Sequence, residues 1–171
     1  MTDAAFSPTD VACVERQLGR APRAMVAVAH RCACGAPDVV RTLPRLPDGT
    51  PFPTTFYLTC PRVNGAIGTL EASGLMRDME SRLGTDEDLA AAYGAAHEAY
   101  LADRGILGEV SEIEDISAGG MPNRVKCLHV LAAHALACGP GVNPLGDEVV
   151  AALGTWWATN PCSVLPEDEA T

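Results

Sequence analysis

Apolar positions along this chain adopt two spacings. Short apolar runs bounded by turn residues dominate residues 25 to 60, and helical periodicity dominates the remainder of the chain. Met25 to His30 (Met-Val-Ala-Val-Ala-His) reads as a buried strand, and the β-branched run Asp38 to Leu43 as its returning partner. Between them, Cys32-Ala33-Cys34-Gly35-Ala36-Pro37 breaks regular structure, so the pattern predicts a hairpin with thiols at its tip. Pro44 to Pro53 reads as a rigid, proline-rich loop, and Thr54 to Thr59 as a third strand.

The helical signals are a short element from Thr9 to Gly19, capped by Thr9 or Asp10, and one from Pro61 to Ser73. The second has proline in its first turn and Gly74 as its stop. A short helix from Leu75 to Leu83 comes next. Asp86 to Arg104 then repeats Leu89, Tyr93, Ala96, Tyr100 and Leu101 on one face, with Thr85 and Asp88 approximating a capping box. Glu109 to Ile116 reads as an acidic edge strand. Pro122 is expected to open a long helix through Ala137, and Asp147 to cap a last one bearing Val149, Val150, Leu153, Trp156 and Trp157. The sum is an α+β fold in one domain, a small antiparallel sheet of about three strands packed against five to six helices. The domain is placed at residues 9–162, with an acidic, disordered tail at 163–171.

Composition narrows the partners. A net charge of −10 argues against nucleic acid or an anionic membrane, since both reward clustered Lys and Arg. The N-terminus lacks the basic start and apolar core of a signal peptide, and no apolar run approaches the ~20 residues of a spanning helix. A cytoplasmic setting is therefore expected, where the seven cysteines stay reduced and suit metal binding or redox chemistry. Oligomeric state is not legible.

The candidate chemistry concentrates in Lys126-Cys127-Leu128-His129, followed by His134 and Cys138. Two thiols, two imidazoles and the one lysine of the chain fall within this stretch. On one continuous helix, Cys127, His134 and Cys138 lie nearly in line and His129 points elsewhere; Cys127 and His134 are then about 10 Å apart along the axis, too far to share an ion. Cys127 is expected to work with upstream thiols. Cys32, Cys34, Cys60 and Cys127 could hold zinc, or Cys32, Cys60 and Cys127 an iron–sulfur cluster with one iron open to substrate. His134, one turn from Cys138, is a further candidate metal ligand. Lys126, His129 and His97 are candidate catalytic groups around the open position, serving a small-molecule substrate. Two other readings stay open. The cysteines could be small buried hydrophobes, or Cys127 could be a metal-free reactive thiol beside Lys126 at a helix start.

The chain resembles domain-of-unknown-function family 501. The matching segments are Arg31-Cys32 with Gly35 and Pro37, Val39-Val40-Arg41-Thr42, Pro51-Phe52-Pro53-Thr54, and Leu58-Thr59-Cys60-Pro61. They continue with Leu70-Glu71-Ala72-Ser73-Gly74, the surroundings of His97 and Tyr100, Val125-Lys126-Cys127-Leu128-His129, His134, and Asn143-Pro144 with Gly146. The resemblance implies a bacterial, largely actinobacterial, protein and stresses Cys32, Cys60, Cys127 and the two histidines over Cys34. It brings no reaction. Family members often stand beside a septum-formation protein and an exopolyphosphatase, so it also admits a non-catalytic, metal-stabilised interaction protein linked to division or polyphosphate physiology.

Overall fold

The computed structural model describes residues 6–158. The expected tail at 163–171, and Cys162 before it, lie outside the described residues. Among these, three antiparallel strands and six α-helices form one α+β domain, as the hydropathy pattern predicts. Strands β1 (Met25–Arg31), β2 (Pro37–Thr42) and β3 (Phe56–Leu58) lie in the order β1-β2-β3, with Val40 opposite Tyr57 and Val39 opposite Leu58. The thiol-tipped hairpin is present: the Cys32 amide donates to the Ala36 carbonyl (3.0 Å) and the Gly35 amide to the Cys32 carbonyl (2.8 Å).

Helix α1 (Pro8–Leu18) packs against β2. Its cap is Ser7 rather than Thr9 or Asp10. The Ser7 hydroxyl accepts the Asp10 amide (3.1 Å) and the Asp10 carboxylate accepts the Ser7 amide (2.8 Å), satisfying two orphan donors at once. Helices α2 (Pro61–Ala72) and α3 (Leu75–Leu83) are separated by Gly74, whose φ of 90° turns the chain where a β-carbon would be strained. Helix α4 (Glu87–Gly105) is capped by the Asp86 carboxylate on the Leu89 amide (2.9 Å), not by the expected Thr85–Asp88 box.

Helix α5 (Leu128–Cys138) is the centre of the molecule. Leu128, Leu131, Ala132, Ala133, His134, Ala135 and Ala137 are all buried, so it is covered on nearly every side, as a helix apolar all round must be. It lies under the sheet and beside α6 (Pro144–Leu153). The α5–α6 approach is so close that a β-carbon on Gly146 would collide with the Leu131 carbonyl oxygen. Phe56, Tyr93, Tyr100, Ile67, Met79 and Leu145 complete the core.

Three further expectations fail. Glu109 to Ile116 is no edge strand; it is a loop with a 3-10 turn at Ser111–Ile113, held because the buried Arg104 guanidinium donates to the Ile113, Glu114 and Ile116 carbonyls. Asn143, not Asp147, caps α6, and Trp156 and Trp157 lie beyond its end. Most consequentially, Pro122 does not open a helix, and α5 begins at Leu128. No helix among the described residues is long and apolar enough to cross a membrane.

Candidate metal centre

The late start of α5 creates the site. Gly119 and Gly120 take φ of 79° and 96°, folding the chain back so that the Lys126 amide donates to the Gly119 carbonyl (2.8 Å) and the Arg124 amide to the Gly120 carbonyl (2.9 Å). A β-carbon on Gly120 would stand 2.8 Å from the Arg124 carbonyl oxygen, so only glycine closes this loop without strain. Carboxylates from neighbouring helices take the next amides: Glu80 of α3 accepts Val125 (3.1 Å) and Glu71 of α2 accepts Leu128 (2.8 Å). An acidic group at the first turn complements the positive end of the helix.

Cys127 therefore precedes α5 in extended backbone (φ −157°, ψ 110°). Side chains two apart on a helix do not face each other, but Cys127 is outside the helix and its thiol turns toward His129. The Sγ–Nδ1 distance is 3.9 Å, and the same Nδ1 stands 3.2 Å from Glu71 Oε1. The three ligand atoms lie within 4.8 Å of one another. On the far side of the ring, Nε2 is 3.3 Å from the Asn64 carbonyl oxygen. A carbonyl only accepts, so Nε2 carries the hydrogen and Nδ1 is left for a metal or a second proton. The cluster opens into a cleft of about 410 Å³ lined by Thr54, Phe56, Tyr57, Leu58, Asn64 and Val130 besides Cys127 and His129.

The electrostatics derive from these contacts. The hydrogen bond to Cys127, with the Glu71 carboxylate adding to it, raises His129 to about 9 despite its partial burial. Burial pushes the Cys127 thiol up, but the His129 hydrogen bond and the Val130 and His129 amides outweigh it and leave the thiol below its ordinary value. The thiol feels those amides without completing a capping hydrogen bond to them.

A second group of the same chemistry, Asp103, His134 and Cys138, lies along α4 and α5. His134 is fully buried, stacked on Phe56 (5.6 Å) and edge-on to Tyr100 (5.1 Å). Asn143 Oδ1 accepts the Gly146 amide (3.0 Å), which turns Asn143 Nδ2 toward His134 Nδ1 (3.2 Å). Here Nδ1 must accept, so Nε2 carries the hydrogen, and this buried nitrogen has no hydrogen-bond partner among the described residues. A metal on Nε2 would need the opposite tautomer and would set two donors against each other at Asn143. Burial pushes His134 down to about 4, with the Asp103 charge opposing only in part. Asp103 is held by Arg41 (3.0 Å) and accepts from the Cys138 thiol (3.5 Å).

The cysteines expected to share a site are not gathered with Cys127 in either group. Among the described residues, Cys32, Cys34 and Cys60 belong to neither. Cys32 closes the β1–β2 turn, half-buried Cys34 sits at its tip, and Cys60 caps α2; Cys32 and Cys60 are core residues. No disulfide joins the six described cysteines. His97 is buried against the Ser117 hydroxyl (2.9 Å), and Lys126 is exposed; neither lines the cleft. The residue missed from the pattern is Glu71. Its one signal was its place in the segment Leu70-Glu71-Ala72-Ser73-Gly74, which carried part of the family resemblance.

Fold and site thus define a small α+β domain with a thiol, an imidazole and a carboxylate gathered at the start of its central helix. The chain belongs to the family described as Protein of unknown function (DUF501), whose model matches residues 28–151. No curated protein and no solved structure matches it.

Proposed function

We propose that Glu71, Cys127 and His129 hold a zinc ion at the mouth of the β3 cleft, and that the protein is an intracellular enzyme acting there on a small substrate. One observation carries this reading: the Nε2–H of His129 is tied to the Asn64 carbonyl, so Nδ1, beside a carboxylate and a thiol, is the nitrogen that would release its proton to an incoming ion. Metal-binding histidines characteristically anchor their other nitrogen in this way, and Glu71 is steadied likewise by the Leu128 amide. Sulfur, nitrogen and oxygen donors from three protein residues are a catalytic zinc set with the fourth position open, whereas structural sites use four protein ligands. A single thiolate suits one ion better than an iron–sulfur cluster. A bound zinc would supply Lewis acidity or a water activated near neutral pH. Around it, Glu71 and Cys127 supply the negative charge, His129 gives up its second proton to become a ligand, and Phe56, Leu58 and Val130 limit water in the cleft.

Calorimetric titration of the whole chain with zinc tests this. One ion per chain is expected, bound far more weakly in Cys127→Ser, Glu71→Gln and His129→Gln and unchanged in Asp103→Asn. Equal binding in all variants, or none in the wild type, overturns it. A metal-free thiol enzyme is the second reading, favoured by the lowered thiol beside a protonated His129. Absent zinc binding together with fast alkylation of Cys127 near neutral pH would select it.

A further inference from the structure

Tyr57 of β3 borders a second cavity besides the Cys127 cleft. This cavity holds about 120 Å³ and is walled by Leu18 of α1, Val40 of β2, Tyr57, and Leu46 and Phe52 of the loop that joins β2 to β3. Val40 is buried, while Leu18, Leu46, Phe52 and Tyr57 are half-buried, as the walls of a pocket open to water must be. Backbone bonds hold the loop in shape. The Phe52 amide donates to the Pro44 carbonyl (2.8 Å) and the Leu46 amide to the Thr50 carbonyl (2.9 Å). The segment Arg20 to Arg23 completes the rim. It is turned into β1 by Ala24, the one non-glycine residue with a positive φ (54°) among the described residues. An alanine there costs about 1 kcal/mol. The Ala24 carbonyl accepts the Leu43 amide (2.9 Å), which ties this segment to the start of the same loop.

Arg20 and Arg23 give the cavity its chemistry, since both line it and both are exposed. With 22 acidic residues to 12 basic ones, carboxylates are not scarce in this chain. Arg31, Arg41, Arg45, Arg82 and Arg124 each stand within 3.6 Å of one. Arg20 and Arg23 have no such partner among the described residues, and Arg20 donates only to the Ala21 carbonyl (3.1 Å). Asp48 is near enough to Arg23 for their charges to interact, but its carboxylate accepts the Thr50 amide (2.9 Å) and it does not line the cavity. Apolar walls below two uncommitted guanidinium groups suit a ligand with an apolar body and an anionic head. We infer that this cavity binds a small anion of that kind, a carboxylate or phosphate monoester carried on an aryl-sized group. A closed apolar cavity of about 150 Å³ accepts benzene, so this one, open at its rim, takes one six-membered ring with its charge at the arginines. The Tyr57 hydroxyl, which has no hydrogen-bond partner among the described residues, is a third polar group on the wall. Neither arginine belongs to the proposed zinc centre, so the two sites stand or fall separately.

Nuclear magnetic resonance of the whole ¹⁵N-labelled chain, without added metal, tests this with benzoate and phenyl phosphate as probes. Saturable shifts centred on the Arg23, Leu46, Phe52 and Tyr57 amides are expected, and the tighter of the two anions identifies the head group. Benzyl alcohol keeps the ring without the charge, and acetate keeps the charge without the ring; each is expected to bind at least about tenfold more weakly. Arg20→Gln and Arg23→Gln change exposed side chains, which the fold tolerates. Together they should weaken anion binding by about tenfold or more. Cys127→Ser should bind the anions as the wild type does. No saturable shift from either aryl anion, equal affinity for benzyl alcohol or acetate, or unchanged affinity in the double arginine variant overturns the inference. Shifts centred on Asn64 and His129 overturn it too, because they would put the anion in the Cys127 cleft.

Discussion

Glu71, Cys127 and His129 at the start of α5, and Asp103, His134 and Cys138 towards its end, are the same three chemistries in opposite states. What separates them is the partner of the histidine nitrogen that faces away from the group. At His129 a backbone carbonyl takes that nitrogen's hydrogen and frees the inner nitrogen; at His134 a side-chain amide donates to the ring and leaves the hydrogen on the inner side. Exposure widens the gap. His129 is about a third exposed and shares its charge with an acid and a thiol, while His134 is enclosed by Phe56 and Tyr100 and stays neutral. The presence of ligand-type residues is therefore a weak predictor of a site; the hydrogen-bond partner one atom further out decides whether the residue binds or packs.

The contrast can be broken by mutation. His134→Ala empties a fully buried ring position and is expected to cost about 3–4 kcal/mol in denaturant unfolding, while His129→Ala, at a partly exposed site, stays within about 1 kcal/mol. Equal costs would mean the two environments are alike after all.

The pH dependences should run in opposite directions. An unfolded His134 takes a proton below about 6.5 but the folded one only near 4, so the native state loses up to about 3 kcal/mol as pH falls through that window. His134→Gln should abolish the loss. His129 is raised instead, so its contribution is complete below about 6.5 and disappears as pH climbs through about 9. Unfolding curves of each variant against the wild type across pH 4–9.5 read both signs.

Zinc affinity sharpens the comparison next. Cys127→Ser should weaken it on the order of 100-fold, about 2.7 kcal/mol, and Cys138→Ser should leave it unchanged. Asn143→Ala carries the smallest effect, about 1–2 kcal/mol of stability. It removes the α6 cap and also the amide that sets the His134 tautomer, so a gain of zinc binding in this variant alone would show that the tautomer, not the burial, had excluded the metal.

Much of the fold was legible. The hairpin, the third strand and the helices opened by Pro61 and closed by Gly74 and Gly84 arise from turn residues whose preferences act locally. The start of α5 was not. Pro122 is a good opening residue in isolation, but the two glycines before it permit a fold-back loop, and Glu71 and Glu80 take the amides that a longer helix would have had to satisfy. The site inherited that difference. With Cys127 inside a helix His129 points away from it; with Cys127 one residue before the helix the two meet. Glu71 carried no local mark because a glutamate on a surface helix is ordinary, and only the packing of α2 against α5 gives it a role.

From its residues alone, the chain determined its class, its charge, its family resemblance and the presence of ligand-type chemistry around Cys127, because periodicity and composition are local properties. Which thiol meets which imidazole, and in what protonation state, was settled by the assembled molecule. Those choices depend on amides, carbonyls and carboxylates from segments some sixty residues apart, and such groups acquire partners only when the helices pack.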